Sequence, residues 1–589
     1  MSIDLKNFDK KNLNNFNQEK LNDLADVIRD FIIKSNSKTG GHVGANLGTI
    51  ELSIALHYVF NTPDDTVIWD TGHTGYTHKI LTGRAELFSS LNTFGGMNRF
   101  ITTDESEHDF IEASHAGTSI SIALGNAIHK KNIVSDDFSI AVIGDGSLAE
   151  GIALEGLNHA SCEDVNLLIV LNDNRFAISP GFGAIHNHLG QIDTEKLETN
   201  MFTNLGYNYH GILDGYSIEN IIEVFSSIKN SGGVHVVHLK TEKGFGLLPA
   251  KDHPNKMHYS FPFDVSNGEL TESQEGKSFQ SFASDAIDEV MQEDKNIYAI
   301  TPSTLYATDL ERVFKKYPKR CFDPGMMEQH ALSFAAGIAR SGGYPVVFYQ
   351  STFLQRAYDQ IIHDVSFSND NVLILAVRSG FAGYDNPTHH GIYDQSYLKG
   401  IPNLKLFYPT NGKHLFALIK EVMQNPIGPV CIFMPYGNEK EEHLAANVSL
   451  PDNLLEYHNI KSSDNDKAII LTTGNKVNDC LKVNEILEEQ EISIRVTNVN
   501  KLKPLDEHKI VDLIKDYEFI FSIEENVTSG GLGESLASII ISSSIKSKLI
   551  SFSLPNVFIQ AGSNEELSQL YKLDPTSISE KIIKTLNGK

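Results

Sequence analysis

The stretch from Phe138 to Ser179 restricts the possible folds of this chain more than any other part of the sequence. It contains two apolar runs, the first ended by Gly144-Asp145-Gly146 and the second by Asn172-Asp173-Asn174, with a helix-like segment between them. This order predicts a βαβ unit, whose parallel strands bring their carboxyl ends to one edge of the sheet. Asp145 and Asn174 should therefore be neighbours in space.

The residues at this predicted edge suit a divalent metal ion that holds a diphosphate. A carboxylate and an amide oxygen are ligands for Mg²⁺, whose remaining positions water and phosphate oxygens can fill. The glycines let the backbone approach the phosphate, and the following helix points its positive end toward the negative charge. A lone Gly-Asp-Gly is also common in ordinary βα turns, so the prediction depends on both strand ends together.

Length, charge and cysteine content set further bounds. A chain of 589 residues is too long for one hydrophobic core and predicts three or four domains. Its formal net charge of −26 argues against nucleic acid or an anionic membrane as a partner, because both attract a basic face. The polar N-terminus, the lack of an apolar stretch long enough to span a membrane, and four scattered cysteines predict a cytoplasmic protein with reduced thiols.

Three histidines are predicted to face the same sheet edge. His42 lies in a glycine-rich loop, His73 follows a short strand, and His115 precedes a helix-like run. Neutral imidazoles at that edge would donate and accept protons near pH 7. A histidine in a glycine loop is often incidental, so the prediction depends on finding all three together. We interpret a further pair, His186 and His188, as part of a surface loop rather than a metal site.

Two further α/β units follow the first. The predicted fold class is α/β, with three doubly wound, mainly parallel-sheet domains in series. The predicted divisions are a first domain over 1–275, a second over 276–440, a linker over 441–466 and a third over 467–589. The strands predicted in the second and third domains are Ile297–Ile300, Pro345–Tyr349, Val372–Val377, Val430–Met434, Ala468–Thr472, Ser493–Val499, Phe519–Ile523 and Leu549–Leu554.

Two segments of these later units have a specific interpretation. An amphipathic segment from Phe353 to Val365 should cross between two strands of the second domain. The run Gly530 to Gly533 resembles a phosphate loop, but we interpret it as the turn that starts a helix.

The Gly-Asp-Gly and Asn-Asp-Asn strand ends together resemble the cofactor fingerprint of the thiamine-diphosphate enzymes. The resemblance implies a metal bound by Asp145, Asn174 and the carbonyl of Phe176, with cofactor contacts from Gly146, Ser147 and Asn174. Thiamine catalysis also needs a carboxylic group hydrogen-bonded to the aminopyrimidine ring. Glu328, in a strand-to-helix loop of the second unit, is the candidate. A glutamate that only stabilises a helix N-terminus is the ordinary alternative.

Longer strings resemble the 1-deoxy-D-xylulose-5-phosphate synthase family of transketolase-like enzymes over nearly the whole chain. They are Glu51 to His73, His78 to Arg84, Glu328 to Gly337, Ser351 to Asp364 and Thr388 to Gly391. The resemblance implies a transketolase-like arrangement and a homodimer that binds thiamine diphosphate and Mg²⁺ between the first and second domains. It also implies a reaction that joins pyruvate, after loss of CO₂, to glyceraldehyde 3-phosphate, at the start of the non-mevalonate isoprenoid route.

The same resemblance implies roles for individual residues. Catalytic roles fall to Glu328, His42, His73, His258 and His389. Around the cofactor, His73 and His115 would make contacts, Lys251 and His258 would close over the site, Phe353 would stack on the aminopyrimidine, and Ile178 would hold the cofactor bent. The substrate side would comprise Arg356, Arg378, Asp385, His389 and Tyr436, whose arginines suit a phosphate or a carboxylate.

The chain departs from the family pattern on the substrate side. The family's Tyr-Pro-Arg-Gly-Asn is Met-Pro-Tyr-Gly-Asn here, so Tyr436 replaces a phosphate-binding arginine, and Gln350 replaces a family tyrosine. These changes leave the acceptor aldehyde open. A ketol transfer of the transketolase type is an alternative, as is a cofactor-binding but inactive regulator. The intact Glu328 and the three histidines argue against the inactive regulator.

Overall fold

The computed structural model describes residues 3–195, 197, 199–253, 255–272 and 275–588, and three mainly parallel sheets form its frame. Helices pack against these sheets, so the predicted α/β class with doubly wound sheets is confirmed. The strands Ile297–Ile300 and Ala468–Thr472 have the predicted bounds. The other predicted strands are present with ends shifted by a few residues.

The first sheet has the order β1-β2-β3-β5-β4, and all its strand pairs are parallel. β2 and β3 are buried along almost their whole length, which explains why they read as continuous apolar runs. The strands are β1 (Thr66–Trp69), β2 (Ser139–Gly144), β3 (Leu167–Asp173), β4 (Asn208–Asp214) and β5 (Val234–Lys240).

Helices and shorter helical turns surround this sheet. The long amphipathic helix Gln18–Thr39 begins at Asn17, whose side chain accepts the Lys20 N–H and so satisfies a free donor of the first turn. The other helical segments are Lys10–Asn15, Val43–Asn46, Ile50–Val59, Tyr76–Lys79, Ile80–Arg84, Ala85–Ser90, Ser119–Asn132, Asp145–Leu148, Gly151–Ala160, Gly183–Glu195, Met201–Asn204, Ile218–Ser231 and Leu248–Asp252.

The second sheet has the order β17-β11-β12-β10-β9-β7-β8, and the third has the order β14-β16-β15-β18-β19. Within these two sheets, the pairs β11 with β17 and β14 with β16 are antiparallel and the other pairs are parallel. Their strands are β7 (Ile297–Ile300), β8 (Cys321–Phe322), β9 (Tyr344–Gln350), β10 (Leu373–Ser379), β11 (Lys405–Phe407), β12 (Val430–Pro435), β14 (His458–Lys461), β15 (Ala468–Thr472), β16 (Arg495–Asn498), β17 (Lys501–Lys503), β18 (Phe519–Val527) and β19 (Lys548–Leu554). Two short strands, β6 (Lys277–Ser278) and β13 (Asn438–Glu439), form a separate antiparallel pair.

Helical segments also surround these two sheets, and the longer ones bury an apolar face. Gly412–Gln424, for example, buries one apolar face and starts at Asn411, whose side chain accepts the His414 N–H. The others are Phe279–Glu293, Glu311–Lys316, Glu328–Arg340, Ser351–Leu354, Gln355–Ala357, Tyr358–Gln360, Ile361–Ser366, Pro387–His389, Asp394–Lys399, Leu444–Asn447, Gly474–Lys476, Val477–Glu488, Glu507–Ile514, Leu532–Ser542, Asn564–Leu570 and Pro575–Leu586.

The described chain forms two compact units. The first contains the first sheet, with residues up to 272 and Pro324–Met327, and the second contains the other two sheets. One hydrophobic cluster joins the second and third sheets, because it includes Val347 and Ile374 as well as Ile469 and Leu471. The predicted linker also contains β14, which pairs with β16 of the third sheet. The predicted domain boundaries stay predictions.

The prediction was wrong for one segment. The loop predicted around His186 and His188 is the helix Gly183–Glu195, which buries Leu189 and Ile192 at helical spacing. The Nε2 of His188 accepts the Met201 N–H at 3.0 Å, so this histidine fastens the helix to the next segment. Across the described residues, no group of three or more His, Cys, Asp or Glu side chains is arranged to hold a metal ion.

Two other interpretations agree with the structure. The crossing from Phe353 to Val365 buries Leu354, Ala357, Ile361 and Val365, although it consists of successive short helical turns. The glycine run at 530–533 starts the helix Leu532–Ser542, where the buried carboxylate of Glu524 accepts the first N–H groups. Among the described residues, every helix is too short or too polar to cross a membrane.

Candidate active site

The carboxyl ends of β2 and β3 lie side by side, as predicted. Their parallel register pairs Gly144 with Asn172, and the Asn174 N–H lies 3.4 Å from Asp145 Oδ1. Asp145 opens the helix Asp145–Leu148 directly after β2 and is buried, as is Ser147. The predicted proximity of Asp145 and Asn174 is therefore confirmed.

The loop after β3 packs closely against the start of that helix. The Oδ1 of Asn174 accepts the Phe176 N–H at 3.0 Å, and the Ala177 N–H donates to the Ser179 carbonyl at 2.9 Å. A Cβ on Gly146 would lie 2.7 Å from the Cβ of Ala177, so only glycine permits this approach. Half-buried Ile178 lies at the tip of the same loop.

The electrostatics at this edge suit a cation. Burial and the neighbouring charge of Asp173 raise the pKa of Asp145 to about 7. A divalent ion beside Asp145 and Asn174 would offset both effects and favour the ionised carboxylate. The two side-chain oxygens and the neighbouring backbone thus fit a hard metal ion.

His42, His73 and His258 come together beside this edge. Their ring centroids are 5.3 Å apart for His42 and His73, 5.0 Å for His73 and His258, and 5.5 Å for His42 and His258. Burial, together with the charge of Lys243, lowers the pKa of His73 to about 3, and burial lowers that of His258 as well. Burial therefore favours the neutral form of these two rings, whose free ring nitrogen can accept a hydrogen bond.

Asn46 holds two of the histidine loops in place. Its Nδ2 donates to the His42 carbonyl at 2.8 Å and to the His73 carbonyl at 2.7 Å, while its Oδ1 accepts the Tyr76 N–H at 2.8 Å. Asn46 is fully buried, and its hydrogen bonds to the His42 carbonyl and from the Tyr76 N–H are buried as well. One side chain therefore fixes the separation of His42 and His73.

Lys243 is a buried amine beside the histidines. Its Nζ lies 3.0 Å from His258 Nδ1, donates to the Ala177 carbonyl, and lies 5.1 Å from the centre of the Phe176 ring. Burial lowers the pKa of Lys243 to about 7, against the opposing charge of Asp145. Lys243 thus joins the histidines to the loop after β3.

His115 and Lys251 occupy different surroundings. His115 is half-buried in a loop whose geometry depends on Asp70, because the Asp70 carboxylate accepts the Gly117 N–H at 2.9 Å and the Ser119 N–H at 3.2 Å. Lys251 is exposed on the short helix Leu248–Asp252. The lysine that the structure brings to the histidines is Lys243, which the sequence analysis did not select.

In the second unit, Glu328 begins the helix Glu328–Arg340 and is buried. Its backbone carbonyl accepts the Tyr349 hydroxyl at 2.7 Å, and its Oε2 has no hydrogen-bond partner among the described residues. Burial raises the pKa of Glu328, while the charge of Arg356 opposes this. A buried carboxyl group with an open oxygen is suited to donate a hydrogen bond to a ligand nitrogen.

Phe353 and His389 lie together in this unit. The ring centroids are 5.5 Å apart with an interplanar angle of 74°, an edge-to-face contact. Phe353 is half-buried in the turn after β9, and His389 is buried in the loop after β10. Arg356, one helical turn beyond Phe353, is half-buried.

Arg378 is held between an acid and an aromatic ring. Its Nη1 donates to Asp385 Oδ2 at 2.6 Å, and its guanidinium carbon lies 5.0 Å from the centre of the Tyr436 ring. Arg378 has a φ of 63°, and the pairing of β10 with β12 shifts register at this residue. The bulge turns the strand end so that Arg378, Asp385 and Tyr436 meet.

Sequence reasoning missed Asn46, Asp70 and Lys243. Asp70 and Lys243 each follow a strand of the first sheet closely, so the rule that selected Asp145 also applied to them. Asn46 gives no such signal, because its role consists of hydrogen bonds to two loops that are distant in sequence.

Three family models match the chain. Residues 5–199 match the model described as 1-deoxy-D-xylulose-5-phosphate synthase, residues 276–440 match the transketolase pyrimidine-binding domain, and residues 456–578 match the transketolase C-terminal domain.

Curated relatives match over nearly the whole length. A 1-deoxy-D-xylulose-5-phosphate synthase of Natranaerobius thermophilus is 36% identical, with 98% of this chain and 97% of the relative covered. The enzyme of the same name from Listeria monocytogenes is 38% identical, with 96% and 94% covered. Among solved structures, the transketolase of Campylobacter jejuni is 16% identical with a TM-score of 0.46, covering 97% of this chain and 100% of that one.

We expect Asn46→Ala to loosen the His42 and His73 loops. The substitution removes three side-chain hydrogen bonds, each worth about 0.5–1.5 kcal/mol, so the melting temperature should fall by roughly 1–4 °C. Differential scanning calorimetry of the apo protein measures this. Asn22→Ala, at an exposed position of the helix Gln18–Thr39, is the control and should melt like the native protein. An unchanged melting temperature for Asn46→Ala would mean that other contacts hold the loops.

Proposed function

This chain belongs to the 1-deoxy-D-xylulose-5-phosphate synthase family, and from that premise we propose how its residues join pyruvate, with loss of CO₂, to glyceraldehyde 3-phosphate. The product is 1-deoxy-D-xylulose 5-phosphate. Sequence identity of 36% over 98% of the chain carries the assignment of the reaction. Within this chain, the observation that best supports thiamine-dependent catalysis is the buried carboxyl group of Glu328, whose Oε2 has no hydrogen-bond partner among the described residues.

The residues present fit thiamine diphosphate and Mg²⁺. Asp145, Asn174 and the Phe176 carbonyl would hold the metal, and the backbone at Gly146 and Ser147 would approach the diphosphate. When bound, thiamine diphosphate supplies the nucleophilic carbon and the electron sink that decarboxylation and carbon–carbon bond formation require. Ile178 and Phe353 would make the apolar contacts with the cofactor.

Glu328 would act on the aminopyrimidine as a hydrogen-bond donor. For this role the carboxyl group must hold its proton near neutral pH, and burial favours that protonated form. The alternative, a carboxylate that only stabilises the helix N-terminus, would gain nothing from an open buried oxygen, because leaving a polar group unpaired costs free energy.

The first unit would manage proton transfer. Burial keeps His73 and His258 in the neutral form, so they would accept hydrogen bonds from the cofactor or substrate, and a proton on either ring would be passed on readily; His42 lies against both rings. Lys243, in contact with His258, would supply positive charge near the diphosphate or exchange a proton with the imidazole. We propose Lys243 for the role that the resemblance gave to Lys251, because Lys251 is exposed while Lys243 is buried among these groups. His115 remains a predicted cofactor contact.

The second unit would recognise the acceptor. Arg378 and Arg356 provide charge for a phosphate or carboxylate, while Asp385 and His389 can accept and donate hydrogen bonds to an aldehyde or its hydroxyl groups. The ion pair with Asp385 uses part of the Arg378 fork, so the arginine is oriented before a ligand arrives.

Product analysis tests the proposed reaction. The purified protein is incubated with pyruvate, thiamine diphosphate, Mg²⁺ and glyceraldehyde 3-phosphate, and CO₂ and the five-carbon product are measured by mass spectrometry. CO₂ release with formation of 1-deoxy-D-xylulose 5-phosphate supports the proposal. Product formation from a ketose phosphate without CO₂ would indicate ketol transfer instead, and no turnover of either donor would indicate an inactive relative.

Homodimer formation and a cytoplasmic location stay predictions from the sequence. Size-exclusion chromatography with light scattering measures the first directly, since a dimer has twice the 65.2 kDa mass of one chain.

We predict that Glu328→Gln keeps cofactor binding and loses most turnover. The amide cannot hold the acidic proton, and acid–base catalysis typically contributes a factor of about 10²–10⁴. Steady-state rates and the Kd of thiamine diphosphate are measured on both forms. Glu311→Gln, at the start of another helix of the same unit, is the matched control and should keep the native rate. Near-normal turnover in Glu328→Gln would remove Glu328 from the mechanism.

We predict that Asp145→Asn weakens the metal and the diphosphate together. Asp145 supplies the only carboxylate among the three proposed ligands, so its loss should raise the Kd of thiamine diphosphate in the presence of Mg²⁺ by about tenfold or more. Isothermal titration calorimetry with and without EDTA separates the metal-dependent part. Asp164→Asn, on an exposed loop, should bind normally. An unchanged Mg²⁺ dependence in Asp145→Asn would contradict the assignment of this metal ligand.

We predict that Tyr436 weakens selection for the phosphorylated acceptor. A phenol offers one neutral donor, whereas an arginine adds a charge-assisted hydrogen bond of about 1.5–3 kcal/mol, or one to two powers of ten in affinity. Tyr436→Arg should therefore raise kcat/KM for glyceraldehyde 3-phosphate relative to unphosphorylated glyceraldehyde. Tyr436→Phe, which keeps a ring for Arg378, should leave that ratio near the native value. Equal ratios in all three proteins would mean that Tyr436 has no part in acceptor choice.

A further inference from the structure

The loop 380–391, which carries Asp385 and His389, is closed at its base. Gly380 and Gly391 exchange two backbone hydrogen bonds, each 2.8 Å long. A Cβ on Gly391 would lie 2.5 Å from Ser351 Oγ and 2.6 Å from the Arg378 carbonyl, so glycine is required for the loop to close against the strand end.

Glu525, on β18 of the third sheet, fastens this base. Its Oε1 accepts the Phe381 N–H at 2.6 Å. A Cβ on Gly380 would lie 2.2 Å from the same oxygen, and Gly380 has a φ of +91°, so this contact also needs glycine. The pairing of β18 with β19 shifts register between Ile523 and Val527, which places Glu525 in an irregular part of the strand.

Glu525 is itself held by charge. Lys476 Nζ lies 3.6 Å from Glu525 Oε2 and 2.5 Å from Asp479 Oδ2. The side chains of Lys476 and Glu525 are 1% and 10% exposed. A hydrogen bond from a backbone N–H to a nearly buried, ion-paired carboxylate is short and directional, so the loop base has little freedom to move.

The rest of the loop has weaker ties to the same part of the chain. His390 Nδ1 accepts the Ala382 N–H at 3.0 Å, so its Nε2 carries the hydrogen that is donated to the Gln560 carbonyl at 3.0 Å. The Tyr384 hydroxyl donates to Glu566, and the Gly562 N–H lies 3.3 Å from the Gly383 carbonyl. These contacts bind the loop to the segment 560–566, which follows β19, while Asp385 pairs with Arg378 at the end of β10.

We infer that Glu525 is a positioning residue for recognition of the aldehyde acceptor, because it fixes the base of the loop that carries Asp385 and His389. The inference rests on the proposed function for the identity of the acceptor. It gives the third sheet a task in the reaction although none of the proposed catalytic residues lies on it. The competing account is that Glu525 only stabilises the third sheet.

The neighbouring residue separates the two accounts. Glu524 is also a buried glutamate on β18, but its carboxylate accepts the Leu532 and Gly533 N–H groups at 2.7 and 2.8 Å and so serves a helix of the third sheet. Glu524→Gln is therefore a matched control for damage to the third sheet that does not reach the loop.

The experiment compares the native enzyme with Glu525→Ala, Glu525→Gln and Glu524→Gln. We expect Glu525→Ala to raise the KM for glyceraldehyde 3-phosphate by about tenfold and to leave the KM for pyruvate within about twofold, because only the acceptor groups lose their position. Glu525→Gln keeps an oxygen for the Phe381 N–H and should recover most of the loss. Glu524→Gln should keep the native KM for the acceptor.

Hydrogen exchange tests the loop without any reaction. In the native holoenzyme, amides of the peptide 380–391 should exchange slowly, and Glu525→Ala should speed their exchange while Glu524→Gln does not. Where Glu525→Ala does not fold, Gly380→Ala breaks the same contact from the loop side and should give the same acceptor KM effect.

Unchanged acceptor KM and unchanged exchange in the Glu525 variants would overturn the inference, as would an equal effect of Glu524→Gln. A native enzyme that makes no product with these substrates would instead refute the proposed function, and hydrogen exchange would still decide whether Glu525 orders the loop.

Discussion

The parallel pairing of β2 with β3 is the interaction on which the candidate site of the first unit depends. A slip of one residue would turn every side chain to the opposite face, and burial of both strands prevents such a slip. The same register extends to β5, whose end is joined to β3 by the Thr241 hydroxyl, which donates to Asn172 Oδ1 at 2.6 Å. Lys243 follows two residues later, so its position beside His258 is a consequence of this sheet edge.

In the second unit, the candidate site depends on the fixed position of the loop 380–391. A shared hydrophobic cluster fixes the second and third sheets to each other, and only on such a rigid base can Glu525 and Gln560 act as anchors for residues 380–391. This explains why the second and third predicted domains behave as one compact unit. The third sheet contributes a hydrogen bond from its ion-paired Glu525 to the base of the loop, and it carries none of the proposed reactive groups.

Most strands, and the proximity of Asp145 and Asn174 at one sheet edge, could be predicted from the sequence, because apolar runs indicate burial directly and parallel topology brings strand ends together. The helix Gly183–Glu195 was missed because its glycines and histidines are typical of a loop. Its few apolar residues, such as Leu189 and Ile192, have helical spacing and are buried in the folded protein. Lys251 was selected by resemblance to the family alone, and Lys243 was not considered, although it lies close to the end of β5. Contacts such as those of Asn46 and Glu525 could not be predicted, since they join backbone groups far apart in sequence. The site roles themselves stay predictions.

Buried acidic side chains in this protein are of two kinds: those whose partners compensate for burial, and those whose partners do not. The second kind occurs in the candidate site, and this observation does not depend on any sequence motif. Burial alone would raise the pKa of Asp109, but hydrogen bonds from His78 and Arg84 lower it, and all three side chains are buried in the first unit. A carboxylate whose burial is compensated in this way by its partners is explained by structure alone.

Glu328 and Asp145 are the opposite case, because burial raises their pKa values and their partners do not compensate. A chain selected only for stability would replace or pair these carboxyl groups, since an unsatisfied buried acid destabilises the fold. Strongly shifted buried carboxyl groups of this kind are typical of functional sites, which agrees with the cofactor and metal roles proposed for Glu328 and Asp145.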